Sequence, residues 1–115
     1  MKTLLQTVGI LGVCLCAPTL AVAELAAQNA RYTCERGVQV PVVYVNDAET
    51  SVAILTVEGN QILLYSEVSA SGAKYGWPSD GSNYVWWSEG PKAMLLWRDG
   101  AANTETTLLA GCTQN

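Results

Sequence analysis

Histidine and phenylalanine are absent from this 115-residue chain, methionine occurs twice, and charged side chains fill only 14% of positions. The missing histidine removes several chemistries at once: a Ser-His-Asp triad, a Cys-His nucleophile pair and a histidine metal site. No Cys-x-x-Cys spacing offers a zinc or redox pair either. No segment carries apolar residues at helical spacing over three turns, which argues against an amphipathic-helix fold. What is left for catalysis is a set of ten carboxylates and the tetrapeptide Ser71-Gly72-Ala73-Lys74. Most of the acids stand in or beside turns, where carboxylates are solvated rather than tuned for glycoside work. Ser-x-x-Lys is a common tetrapeptide, and its catalytic form belongs to larger, helix-containing enzymes. The chain therefore reads as a non-enzyme, with no catalytic residue, no metal site and no cofactor.

The first residues read as an export signal. Lys2 supplies a positive start, Val8 to Ala17 is an uncharged apolar run, and Ala21-Val22-Ala23 has the small-x-small pattern of a cleavage site. Cleavage is expected after Ala23, leaving residues 24–30 as a short lead-in and 31–115 as one domain. The apolar run is too short to span a bilayer. Lipid attachment at Cys14 or Cys16 is disfavoured, because Val13 and Leu15 stand where a small residue is wanted. The expectation is a periplasmic, soluble protein that does not insert into the membrane once the signal is removed.

Cys14 and Cys16 leave with the signal, so Cys34 and Cys112 remain, near the two ends of the mature chain and in a compartment that favours oxidation. One structural disulfide between them is expected. Closing a loop of 78 positions would contribute about 4.5 kcal/mol in the chain-entropy model. Lys2 leaves as well, so Arg31, Arg36, Lys74, Lys92 and Arg98 face ten acids, a net charge of −5. Such a surface disfavours nucleic acid and anionic membranes and suits a cationic partner.

Beyond the lead-in, short β-formers alternate with turn signals. The runs are Arg31–Glu35, Gln39–Val45, Ser51–Val57, Gln61–Val68, Ser71–Gly76, Asn83–Ser88, Ala93–Arg98 and Thr104–Ala110. "NDAET", "EGN", "PSDGS", "EGP" and "DGAAN" lie between them and supply the residues of tight reversals. Eight short strands in a small chain imply an antiparallel meander, which removes its edges best by closing on itself. A small antiparallel eight-stranded β-barrel is expected, with a β-sandwich as the alternative. Four Trp and five Tyr could line a ligand cavity, but in a chain this short the interior is expected to be filled by them, leaving function to the loops.

One stretch is too thin for a strand of ordinary bulk: "SASGAKYG", Ser69 to Gly76. Pairing Tyr75 with Tyr84 in a hairpin sets Ser71 near Ser88, and brings the loop before Ser71 to the same end as the turn Glu89-Gly90-Pro91-Lys92. Two neighbouring loops with a hydroxyl, an unencumbered backbone and an ammonium suit a cleft lined by carboxylates.

"SASGAKY" followed by "WWSEGPKAML" resembles the two signature segments of the MliC/PliC family, bacterial inhibitors of c-type lysozyme. Ser71, Gly72, Lys74 and Tyr75 match the first segment; Trp87, Gly90 and Ala93 match part of the second. Tyr32-Thr33-Cys34 and Gly111-Cys112 fit the family's terminal disulfide pair. The resemblance implies an eight-stranded barrel, in the periplasm or on a lipid anchor, whose loops enter the lysozyme cleft. There the motif Ser and Lys meet the catalytic carboxylates. It designates Ser71, Gly72, Lys74, Tyr75, Glu89, Gly90 and Lys92 as the lysozyme-binding set and c-type lysozyme, a cationic protein, as the partner. A homodimer is compatible with it. The chain departs from the family at Glu89, which stands where the second motif has Lys; Lys92, three positions on, is expected to take over that role. The competing reading is an exported barrel that binds a small apolar ligand or another exported partner.

Overall fold

The structure, a computed structural model, describes residues 25–115; the expected signal segment and its cleavage site lie outside the described residues. Eight strands follow one another: β1 (Ala26–Thr33), β2 (Gln39–Asn46), β3 (Ser51–Val57), β4 (Asn60–Glu67), β5 (Ala73–Gly76), β6 (Asn83–Glu89), β7 (Lys92–Asp99) and β8 (Thr104–Gln114), with one 3-10 turn at Glu35–Gly37. Each pairs antiparallel with the next and β1 pairs with β8, so the sheet closes as an up-and-down barrel. The sandwich alternative is thereby set aside.

Most strands agree with the sequence reading to within one residue at each end, but β1, β5 and β8 differ by more. β5 starts at Ala73 rather than Ser71, so Ser71 and Gly72 belong to the preceding loop. β1 begins at Ala26, inside the stretch read as a lead-in, because Ala26–Ala30 pair with Val42–Asn46 of β2. Their side chains are mostly exposed, so small and polar residues serve there and give no strand signal. β8 runs past Ala110 to Gln114, bending at Gly111 with a φ of +63°.

Period-two alternation carries one residue set inward. Tyr32, Val40, Val42, Leu55, Leu64, Trp86 and Leu95 are buried to 2% exposure or less. The large aromatics fill the interior and satisfy one another. Trp86 Nε1 donates to the Tyr44 hydroxyl at 2.8 Å, and the Tyr44 and Tyr32 hydroxyls share a further 2.8 Å bond. Burial, followed by the bond to Tyr44, drives the Tyr32 phenol far above its ordinary range. The lumen is therefore a packed core with its polar tips paired.

The weak point of the closure is the β1–β8 seam. Only Tyr32↔Gln114 and Thr33↔Thr113 pair there. The Cys34–Cys112 disulfide sits immediately beyond those two rungs, where it fastens the first strand to the last. Asn115 N–H adds a bond to the Arg31 carbonyl at 2.9 Å.

Candidate functional site

The β4–β5 loop (residues 68–72) and the β6–β7 turn emerge at the same end of the barrel. The turn is a two-residue hairpin, Gly90-Pro91, between the paired Glu89 and Lys92. Gly90 takes a φ of +57° while Pro91 keeps a negative one, the II′ pattern with glycine first. Gly90 is thus required by the backbone. Glu89 and Lys92, directly opposite each other, project from the same sheet face as Trp87 and Met94, two positions further along each strand. Neither Glu89 nor Lys92 forms an ion pair among the described residues.

The hairpin register differs from the expected one by two residues: Tyr75 pairs with Trp86, not Tyr84, and Ala73, not Ser71, lies opposite Ser88. A shift of two leaves every side chain on its face, so alternation could not distinguish the registers. The prediction about the loops survives, since Ser71 is carried level with Gly90.

Gly72 accounts for the thinness of the segment. Its φ is +67°, and a Cβ there would fall on the carbonyl oxygen of Ser88 and lie 3.2 Å from Glu89 Cβ. The loop lies flat against the end of β6, and no larger residue fits between them. Ser69 Oγ donates to the Ser71 carbonyl at 2.5 Å, and Trp87 Nε1 donates to the same oxygen at 2.9 Å. The Ser71 hydroxyl is left at the surface.

These pieces border one cleft of about 380 Å³, lined by Ser71, Glu89 and Lys92 together with Trp87, Met94 and the small positions Ala93, Gly111 and Cys112. One hydroxyl, one carboxylate and one ammonium thus surround a partly apolar depression at the barrel end.

Two residues of the sequence-derived set stand elsewhere. Tyr75 is 7% exposed and points into the barrel, 5.7 Å from the Tyr44 ring; strand alternation turns it inward, so it serves packing. Lys74 faces out, but its Nζ is bonded to Glu105 Oε1 at 3.0 Å and lies 4.6 Å from the Trp87 ring centre. That engagement also removes any Ser71–Lys74 dyad.

Sequence reading missed the charges around Lys74. Arg98 grips Glu67 with two bonds, 2.5 and 3.2 Å, and reaches Glu105 at 2.6 and 2.9 Å. A Cβ at Gly76 would stand 2.6 Å from Glu67 Oε2 and 2.9 Å from Arg98 Nη1, so that glycine leaves room for the grip. The bonds to Glu67, against some loss from burial, and then those to Glu105 raise the Arg98 pKa above its ordinary range. Burial pushes the Glu105 carboxyl up, but the Arg98 and Lys74 bonds outweigh it and hold it below the usual carboxylate range. These partners lie on four different strands and have no sequence spacing that links them. Val68, 98% exposed at the start of the same loop, was also missed; an apolar residue closing a strand reads as part of it.

Comparison with known proteins was decided by one family model, membrane-bound lysozyme-inhibitor of c-type lysozyme (MliC), which matches residues 32–104. The chain belongs to the MliC family. A curated relative named membrane-bound lysozyme inhibitor of C-type lysozyme, from Pseudomonas aeruginosa, is 38% identical over 81 residues, 68% of this chain and 61% of the relative. A second of the same name, from Cupriavidus necator, is 37% identical over 65 residues, 56% of this chain and 49% of its own length. The match thus spans about half to three-fifths of those MliC relatives. Among solved structures, Pseudomonas aeruginosa MliC in complex with hen egg white lysozyme superimposes with a TM-score of 0.60 and 27% identity, covering 92% of this chain and 98% of that one. PliC from Salmonella typhimurium, a periplasmic lysozyme inhibitor, gives 0.62 at 25% identity, covering 80% and 99%. The MliC/PliC barrel is therefore the fold of this chain.

Proposed function

We propose that this chain inhibits c-type lysozyme without chemistry of its own, by seating the Ser71 loop and the Glu89–Lys92 turn in the enzyme's active-site cleft. The observation that carries the reading is the convergence of Ser71, Glu89 and Lys92 on one depression at one barrel end, in a family whose Pseudomonas aeruginosa member was solved bound to a c-type lysozyme. A glycosidase cleft holds one protonated and one ionised carboxyl. The Ser71 hydroxyl can hydrogen-bond the first, and the Lys92 ammonium can pair with the second, while the barrel end blocks sugar entry.

The Glu89 departure fits this role. Glu89 and Lys92 are cross-strand partners, so an exchange of the two charges moves the ammonium by about 5 Å on the same face. A lysine stem spans that distance. Gly72 and Gly90 act through the backbone: one lets the loop lie flat, the other makes the turn. The acidic chain would be steered toward cationic lysozyme over long range. Export to the periplasm with the signal removed after Ala23 accords with a partner that attacks the cell wall. The small-ligand reading loses its main support, since the aromatics that would line a cavity fill the core.

The test is a titration of the disulfide-bonded protein into c-type lysozyme clearing a cell-wall suspension, with a g-type lysozyme alongside. Saturable loss of the c-type activity alone is expected. Unchanged clearing by both enzymes with folded protein would overturn the proposal.

A further inference from the structure

The indole of Trp87 is the only side chain that joins the Ser71 loop to the outer wall among the described hydrogen bonds. Its N–H holds the Ser71 carbonyl at 2.9 Å, which fixes the peptide next to the hydroxyl while leaving that hydroxyl free. The ring is itself held. Lys74 Nζ lies 4.6 Å from its centre, within cation–π range, and is bonded at 3.0 Å to Glu105. Arg98 then ties Glu105 to Glu67 on β4, the strand from which the loop departs. The chain of contacts starts and ends at the loop: Glu67, Arg98, Glu105, Lys74, Trp87, Ser71.

We infer that Trp87 and Lys74 are positioning residues, a clamp that sets the Ser71 loop in its binding geometry before any partner arrives. The inference rests on the proposed lysozyme contact for its purpose, but the clamp itself is a property of the free protein. It changes the role of Lys74: its ammonium is turned to the barrel wall and stabilises the platform under Ser71, while Lys92 at the turn is the cation left to face a partner. Preorganisation of this kind improves affinity because a loop already ordered loses less freedom on binding.

The test uses the full disulfide-bonded chain with Trp87→Phe, which keeps an aromatic ring beside Lys74 but removes the indole N–H together with its five-membered ring, and Lys74→Met, which keeps the stem and removes the charge. Amide exchange at residues 70–73 is measured in the free protein, with exchange in β2 and β3 as the control for folding. Both variants should speed loop exchange on the order of three- to tenfold, the worth of one ordinary hydrogen bond, with the control strands unchanged. Lysozyme inhibition should weaken by a similar factor, and the double variant should be no worse than about the weaker single, because both act through one clamp. Loop exchange at parental rates in both variants would overturn the clamp, as would fully multiplicative losses of inhibition showing that Lys74 contacts the enzyme directly. Should Trp87→Phe disturb the control strands, Glu105→Gln, which frees Lys74 without touching the indole, gives the same reading of the loop. If the parent protein fails to inhibit lysozyme at all, the functional proposal falls, and loop exchange still decides the clamp.

Discussion

Replacing Gly72 with alanine separates what the loop needs from what glycine merely permits. The residue has a φ of +67°, and the added Cβ would collide with the Ser88 carbonyl, a backbone atom that cannot rotate aside. The left-handed conformation alone costs an alanine about 1–2 kcal/mol. Relieving the overlap adds about 1–3 kcal/mol if the loop stays docked. Gly59 in the β3–β4 turn provides the control: its φ is +80° and a Cβ there meets nothing within 4 Å. Gly59→Ala should show the conformational cost alone. Each further kcal/mol lowers the melting temperature of a domain this size by about 4–8 °C. Thermal unfolding with the disulfide intact and lysozyme inhibition are the paired assays. A loop that swings out to relieve the overlap would keep stability but lose the Ser71 geometry, so at least one readout must fall further in Gly72→Ala than in Gly59→Ala. Equal behaviour of the two variants in both assays would refute the close packing of the loop on β6.

Lys92→Ala should weaken inhibition at least thirtyfold, as expected for one partner of a desolvated charge pair, whereas the exchanged pair Glu89→Lys with Lys92→Glu should retain most of it; inhibition constants on the three proteins decide. Val68, fully exposed in the same loop as Ser71, should bury against the partner, so Val68→Asp should raise the inhibition constant with no change in melting temperature. Replacing Cys34 and Cys112 with serine should lower stability by about 4 kcal/mol, read by denaturant unfolding, because only two rungs join β1 to β8. The Glu105 carboxyl, held low by Arg98 and Lys74 against the effect of burial, contributes stability that is fully present above the ordinary glutamate range. That contribution is lost as pH falls through its depressed value. Glu105→Gln should accordingly cost about 1 kcal/mol at neutral pH and flatten the acid limb of a stability–pH profile.

The barrel was legible because its strands carry β-formers between turn residues, and because alternation such as Val40, Val42 and Tyr44 fixes which face turns in. Cys34 and Cys112, near the two ends of the described residues, pointed to the seam they fasten. β1 was read short because its first half is exposed and pairs through backbone alone, a pairing that leaves no mark on side-chain choice. The hairpin register was missed for a related reason: parity survives a shift by two, and the six residues from Trp77 to Ser82 do not dictate a length the way Gly90-Pro91 does. The grouping of Ser71, Glu89 and Lys92 at one barrel end could be read from the sequence because short turns carry them there. Lys74 and Tyr75 belong to the same motif, yet strand alternation sends one to the outer wall and the other to the core. The partners that hold Lys74 come from β4, β7 and β8, and only the folded barrel brings Glu67, Arg98 and Glu105 together.

The central claim is occupation of the lysozyme cleft, and competition tests it most directly. Binding of the protein to c-type lysozyme would be measured by calorimetry with and without a saturating N-acetylglucosamine oligomer, which fills the sugar subsites. The account predicts mutually exclusive binding, with the apparent affinity falling in proportion to oligomer concentration. A ternary complex, with the protein bound equally tightly to the oligomer-filled enzyme, would contradict it.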